Sequence, residues 1–242
     1  MKYIIFSDVH SNLEAIEAFS LEIESIDHDK KICLGDIVGY NADPNFAVEW
    51  VRDEADLILA GNHDYAVLNK TDNSNFNPAA YQACTWTRSI LENKNKEFLD
   101  TLPVEKEEYG IYWVHSSPFE PTKWHYVSTE NSAEKNFNYF NQTLCFLGHS
   151  HIPSIFEKNK NNEICRRAPS NIELDPASRY IINVGSIGQP RDGNSDPVFV
   201  FYDSTSHKVE FSRFYYDSSS TQVKIKASGL PDQLADRLNE GR

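Results

Sequence analysis

Residues 2–7 (KYIIFS) form an apolar, β-rich run and predict a first strand. Leu13, Ile16, Phe19 and Ile23 then recur at helical spacing, which predicts an amphipathic helix over 13–26, capped by Ser11 or Asn12. Residues 31–34 read as a second strand. Pro44 opens a helix to about residue 52, with Phe46, Val48, Trp50 and Val51 as its apolar positions. A third strand covers 56–60. Strands alternating with helices point to a parallel α/β sheet, whose ligands sit beyond the carboxyl ends of the strands. Asp8, Asp36 and Asn62 each fall at such an end.

The pattern changes after residue 65. A polar, Asn-rich stretch over 69–77 predicts a loop, followed by helices at 78–91 and 94–99. This 65–100 segment reads as a helical insertion, either a lid beside a site or a helix packed on the flank of the sheet. Strand-like runs at 104–108 and 111–114 flank Tyr109-Gly110 as a hairpin, and His115 follows the second run. An aromatic loop spans 119–128, then a helix is expected over 129–140. The buried strand 144–147 ends in Gly148-His149-Ser150-His151. Runs at 154–157, 164–168, 180–184, 198–203 and 209–215 read as a second sheet, and helices at 221–227 and 231–239 follow. With no linker, repeat or charge block, residues 1–242 read as a single domain of two packed sheets covered by helices.

Composition narrows the function classes. The formal net charge of −13 argues against nucleic acid or anionic membrane as partners, because both need a basic surface. No apolar run approaches the roughly 20 residues of a membrane helix. Four scattered cysteines without a CxxC pair, and no signal-peptide pattern, predict a reduced, cytoplasmic setting. Cys33 and Cys145 lie in apolar runs and read as core residues.

The chemistry concentrates at Gly61-Asn62-His63-Asp64, read as a strand end opening into a tight polar turn. Adjacent side chains on an extended segment point apart, so Asn62 is expected to face a metal and His63 a substrate. Asp8, His10, Asp36, His115, His149 and His151 also stand at strand ends. Asp8/His10 and His149/His151 are i, i+2 pairs, which puts both partners on one side of an extended chain. The set is all nitrogen and oxygen, which favours Mn, Fe, Zn, Ni or Co over a structural zinc. Two carboxylates and four imidazoles exceed the needs of one ion and suit two divalent transition-metal ions sharing a carboxylate.

Asp8-x-His10, Gly35-Asp36, Gly61-Asn62-His63-Asp64, His115 and Gly148-His149-Ser150-His151 resemble the calcineurin-like metallophosphoesterase superfamily. The run from Asn183 to Gly193 resembles its compact bacterial phosphodiesterase, or diadenosine-tetraphosphatase-like, branch. The resemblance implies a four-layer α-β-β-α sandwich. It implies that Asp8, His10 and His151 hold one metal, that Asn62, His115 and His149 hold a second, and that Asp36 bridges them. It also implies that Asn62 and His63 contact the phosphate and that Asp64 orients His63. The implied activity is hydrolysis of a small-molecule phosphodiester, or a phosphomonoester, by in-line attack of a metal-bridging hydroxide, with manganese as the expected metal. A protein Ser/Thr phosphatase and a catalytically silent binding scaffold of the same fold are the alternatives. Arg191 reads equally as a phosphate contact or as a turn residue paired to Asp192 or Asp196. Trp124, His125 and Tyr126 read as packing rather than as part of the site.

Overall fold

The computed structural model describes every residue except Asn75, which lies in the predicted loop 69–77. The first half runs β1 (Lys2–Phe6), α1 (Leu13–Glu24), β2 (Lys30–Cys33), α2 (Pro44–Glu54), β3 (Leu57–Ile58), α3 (Asn62–Val67), α4 (Pro78–Ile90) and α5 (Asn93–Asp100). The middle holds β4 (Glu105–Glu108), β5 (Ile111–Val114), α6 (Glu130–Asn136), β6 (Leu144–Leu147), β7 (Ser154–Lys158), β8 (Ile164–Arg167) and β9 (Ile172–Glu173). The last part holds β10 (Arg179–Asn183), β11 (Val198–Asp203), β12 (Lys208–Arg213), α7 (Ser218–Ala227) and α8 (Asp232–Glu240). None of the described helices is long and apolar enough to cross a membrane.

Two mixed six-stranded sheets result, ordered β3-β2-β1-β11-β12-β9 and β4-β5-β6-β10-β7-β8. The alternation of strand side chains sorts residues into layers. Tyr3 and Ile5 face the space between the sheets with Trp113, Phe146, Ile182 and Tyr202. Ile4 and Phe6 face outward onto Ile16 and Phe19 of α1 and Val48 of α2. On the far side, Cys145 and Ile181 meet Ala133, Phe137 and Phe140. The layers are therefore helix, sheet, sheet, helix. Each fully buried aromatic or branched side chain contributes about 1.5–3 kcal/mol to holding them together.

Several expectations need correction. β11 and β12 do not belong to the second sheet: β11 pairs antiparallel with β1, Ile4 opposite Phe201. The turn before it carries the chain across, with Ile187 N–H donating to Ser7 O and Gly188 N–H to Asp8 O. Gly61-Asn62-His63-Asp64 is not an extended turn, because Asn62 opens α3 with Gly61 as its N-cap. The helix expected to reach 140 stops at Asn136, where the Arg179 guanidinium takes up Phe137 O at 2.9 Å and Phe140 O at 2.5 Å. The short strand β9 was not expected. Within the 65–100 segment, Ala79, Ala80 and Ala83 pack on Leu234 and Leu238 of α8, while Phe76, Asn77 and Ala80 line a cavity.

Candidate metal centre and active site

β1, β2 and β3 are parallel, and so are β5, β6 and β10, so six carboxyl ends open on one rim. Asp8 follows β1, Asp36 follows β2, Asn62 follows β3, His115 follows β5, and His149 and His151 follow β6. Backbone bonds lock these ends together. Asp8 N–H donates to Gly35 O at 2.9 Å, His10 N–H to Asp36 O at 3.0 Å, and Gly148 N–H to His115 O at 2.9 Å. At Gly35, φ is +102° and a Cβ would lie 2.6 Å from Gly61 N, so the close approach of β2 to β3 requires glycine there. Asp8, His10, Asp36, His149 and His151 all adopt left-handed φ. The i, i+2 argument from an extended chain therefore fails in detail, and tertiary packing holds these strained conformations.

Two buried clusters form, with Asp36 in both. One contains Asp8, His10, Asp36 and His151, the other Asp36, His115 and His149. Backbone carbonyls fix the proton on each imidazole. The Nδ1 of His10 meets Val38 O at 3.1 Å, that of His151 meets Gln189 O at 2.5 Å, and that of His115 meets Leu34 O at 2.8 Å. A carbonyl only accepts, so each of these rings donates from Nδ1 and turns the Nε2 lone pair inward. His149 is reversed: its Nε2 meets Trp124 O at 2.9 Å, which leaves Nδ1 as the free lone pair. The carboxylates divide their oxygens in the same way. Asp8 Oδ2 accepts His149 N–H at 3.0 Å, leaving Oδ1 3.2 Å from His151 Nε2. Asp36 Oδ1 accepts His63 N–H at 2.8 Å, leaving Oδ2 at 3.6 Å from His10 Nε2 and 3.5 Å from His115 Nε2.

This donor set fits divalent cations. Asp8 Oδ1, Asn62 Oδ1 and His115 Nε2 are buried without any hydrogen-bond partner, which normally carries a free-energy cost. Each imidazole is backed by an outer carbonyl, the arrangement that orients metal-ligating histidines. The electrostatics agree. Burial would raise Asp8 and Asp36, yet the neighbouring imidazoles, His151 for Asp8 and His115 for Asp36, hold both well below the usual carboxylate range. Burial would lower His115, but Asp36 and Asp8 raise it to about 9, so the position favours positive charge. Beside the clusters lies a cavity of about 270 Å³ whose lining includes His63, Arg191, Tyr40, Phe76 and Tyr126.

Residues 1–206 match the family profile of the calcineurin-like phosphoesterase superfamily domain. The chain belongs to the calcineurin-like phosphoesterase superfamily. It is similar to an uncharacterized protein of Methanocaldococcus jannaschii, 39% identical over 242 residues, 98% of this chain and 97% of that one. A metallophosphoesterase from Sphaerobacter thermophilus superposes with a TM-score of 0.89 at 35% identity, covering 100% of this chain and 99% of the other. A hypothetical protein from Pyrococcus horikoshii shares the fold, with a TM-score of 0.80 at 18% identity and coverage of 100% and 98%.

Within this phosphoesterase, His63 and Asp64 do not form the expected pair. Asp64 accepts N–H bonds from Ile37 at 3.0 Å, Val38 at 3.1 Å and Gly61 at 2.8 Å. It buckles the loop after β2 to the start of α3 and does not orient the imidazole. Asn62 and His63 are neighbours on a helix, so they diverge by about 100° rather than pointing to opposite sides. The surroundings of His63 are the ring of Tyr40 at 4.4 Å, the ring of Phe76 at 5.0 Å and the thiol of Cys84, whose Sγ is 3.5 Å from Nδ1. Burial, outweighing Asp36, lowers His63 to about 4.

Arg191 faces the cavity. It donates to Gln189 Oε1 at 3.0 Å, and Asp192 pairs with Arg213 instead. The sequence reading left out Tyr126, whose ring stacks on His149 at 4.2 Å and 20°. It also missed Tyr40, whose ring packs against both His10 at 4.6 Å and His63 at 4.4 Å. The hint for Tyr40 was its place four residues after Asp36, in the loop that the metal motif already fixed.

Proposed function

We propose that this protein is a dinuclear metal-dependent phosphodiesterase. The observation that carries the reading is the position of Asp36 Oδ2, within 3.6 Å of imidazole nitrogens from both clusters. One carboxylate oxygen shared by two nitrogen-rich sites is the arrangement that holds two cations side by side. Asp8, His10 and His151 would hold one ion, Asn62, His115 and His149 the other, with Asp36 between them. Bound there, divalent cations lower the pKa of a water and offset charge on the phosphoryl oxygens.

The chain's own residues supply position. The Asn62 amide and the His63 ring face the phosphoryl group. The Arg191 guanidinium binds its outer oxygens, a geometry suited to bidentate contact. Tyr40, Phe76 and Tyr126 give the ester substituents an aromatic wall and exclude water. A diester carries one negative charge where a monoester carries two. Arg191 is the one guanidinium or ammonium group among the described lining residues, which favours the diester. Manganese is the expected metal for a nitrogen and oxygen set that includes two carboxylates.

The test is a substrate panel. EDTA-treated protein is reloaded with Mn, Ni or Zn and assayed on bis- and mono-p-nitrophenyl phosphate, a cyclic nucleotide and a dinucleoside polyphosphate. The expected result is metal-dependent turnover, highest on diesters. No turnover on any of these with any metal would remove the enzymatic reading.

A further inference from the structure

His63 and the imidazoles of the two clusters are backed by opposite chemistry. Behind each cluster ring stands a backbone carbonyl, which only accepts, so the ring turns a lone pair inward. Behind His63 stands a thiol. Cys84 Sγ lies 3.5 Å from His63 Nδ1, and among the described residues it is the one hydrogen-bonding group on either nitrogen of that ring.

The direction of this bond follows from what each group can do. Cys84 sits in α4 and is fully buried, in one apolar cluster with Ala66 and Val67 of α3. Burial pushes its thiol up to about 12, so it keeps its hydrogen near neutral pH. Among the described residues that hydrogen has no other acceptor. If Nδ1 carried the ring proton, it would meet a weak acceptor, and the thiol hydrogen would stay buried and unpaired. Donation from the thiol to Nδ1 satisfies both groups. The single proton of the neutral ring then sits on Nε2, the nitrogen left to reach the cavity that His63 lines.

The surroundings hold the ring in that pose. A Cβ on Gly39 would lie 2.5 Å from His63 Nδ1, so the loop after β2 closes on this edge of the ring. Tyr40 and Phe76 pack against it at 4.4 Å and 5.0 Å. Asp64 is occupied with the N–H groups of Ile37, Val38 and Gly61, which leaves the orienting contact to Cys84.

We propose that Cys84 is the positioning residue of His63: its thiol donates to Nδ1, so that His63 offers an Nε2–H to a phosphoryl or leaving-group oxygen in the cavity. The catalytic use of that N–H rests on the phosphodiesterase reading; the hydrogen bond does not. Cys84 itself touches no substrate. It selects the tautomer in which this imidazole is a donor, where the cluster imidazoles are lone-pair ligands.

The test reads the proton directly. Long-range proton–nitrogen NMR on Zn-loaded protein, labelled at its histidine nitrogens, tells a protonated ring nitrogen from a lone pair, and a hydrogen-bonded lone pair from a free one. The His63 signals are those lost in His63→Ala. Wild type is expected to show a protonated Nε2 and a hydrogen-bonded, unprotonated Nδ1. In Cys84→Ala the Nδ1 signal should move to that of a free lone pair, and in Cys84→Ser, whose hydroxyl donates, it should move back. With Mn, kcat on bis-p-nitrophenyl phosphate is expected to fall about 3–10-fold in Cys84→Ala at unchanged KM, the weight of one hydrogen bond, and to recover in Cys84→Ser. A space-filling role predicts the reverse order, because Ser puts a hydroxyl into an apolar pocket. If no ester is turned over but the Nδ1 signal responds in this way, the hydrogen bond stands and the phosphodiesterase reading fails. A proton on Nδ1 in wild type, an Nδ1 signal unchanged in Cys84→Ala, or a higher kcat in Cys84→Ala than in Cys84→Ser would overturn the proposal.

Discussion

The Nε2 atoms of His10 and His151 face one another at 3.1 Å, and neither carries a proton to share. Both rings spend their N–H on backbone carbonyls, Val38 O for His10 and Gln189 O for His151. Two lone pairs aimed into one gap, with Asp8 Oδ1 3.2 Å from one of them, are mutually repulsive until a cation enters. The fold holds them there because the outer carbonyls, the left-handed loops and the sheet rim are already fixed. Metal binding should therefore be felt as stability.

Stripping the ions with EDTA is expected to lower the unfolding midpoint. Ions present at about 100 times their dissociation constant add roughly 2.7 kcal/mol, and in a chain of this length each kcal/mol shifts Tm by about 2–4 °C. A drop of about 5–10 °C, reversed by Mn, should appear in a thermal melt. Superimposable melts with and without chelator would contradict the metal centre.

Asp36→Asn keeps the size of the side chain but removes the charge that both clusters share. The variant is expected to hold fewer than two ions per chain by ICP-MS and to lose at least about 100-fold in turnover. A full complement of two ions would show that Asp36 does not bridge.

His63 contributes no atom to either cluster but lines the cavity beside them. His63→Ala is accordingly expected to retain both ions while kcat on bis-p-nitrophenyl phosphate falls about 10²–10³-fold. Wild-type turnover in a metal-replete variant would exclude contact between this ring and the reacting group.

Asp64 is a structural residue on the geometry. Its carboxylate satisfies the buried N–H groups of Ile37, Val38 and Gly61. Asp64→Ala leaves them unpaired and is expected to cost about 2–4 kcal/mol in urea denaturation. Asp64→Asn, which keeps one acceptor oxygen, should cost less. If Asp64→Ala unfolds like wild type and only kcat falls, the residue acts on His63 after all.

The sequence by itself determined the things that depend on neighbours along the chain. Apolar runs ending in Asp8, Asp36, His115 and Gly148-His149-Ser150-His151 marked strand ends, because strand and helix periodicities are local. Ligand-type residues at successive strand ends then marked the rim, because parallel strands carry their carboxyl ends to one side. Only the tertiary structure decided which residues meet across that rim. It assigned β11 and β12 to the sheet of β1, gave Asp64 to backbone amides instead of His63, stacked Tyr126 on His149, and brought Arg237 to Tyr40 from nearly 200 positions away. Such contacts arise from packing and chain crossing between distant segments, and neither leaves a periodic trace in the sequence.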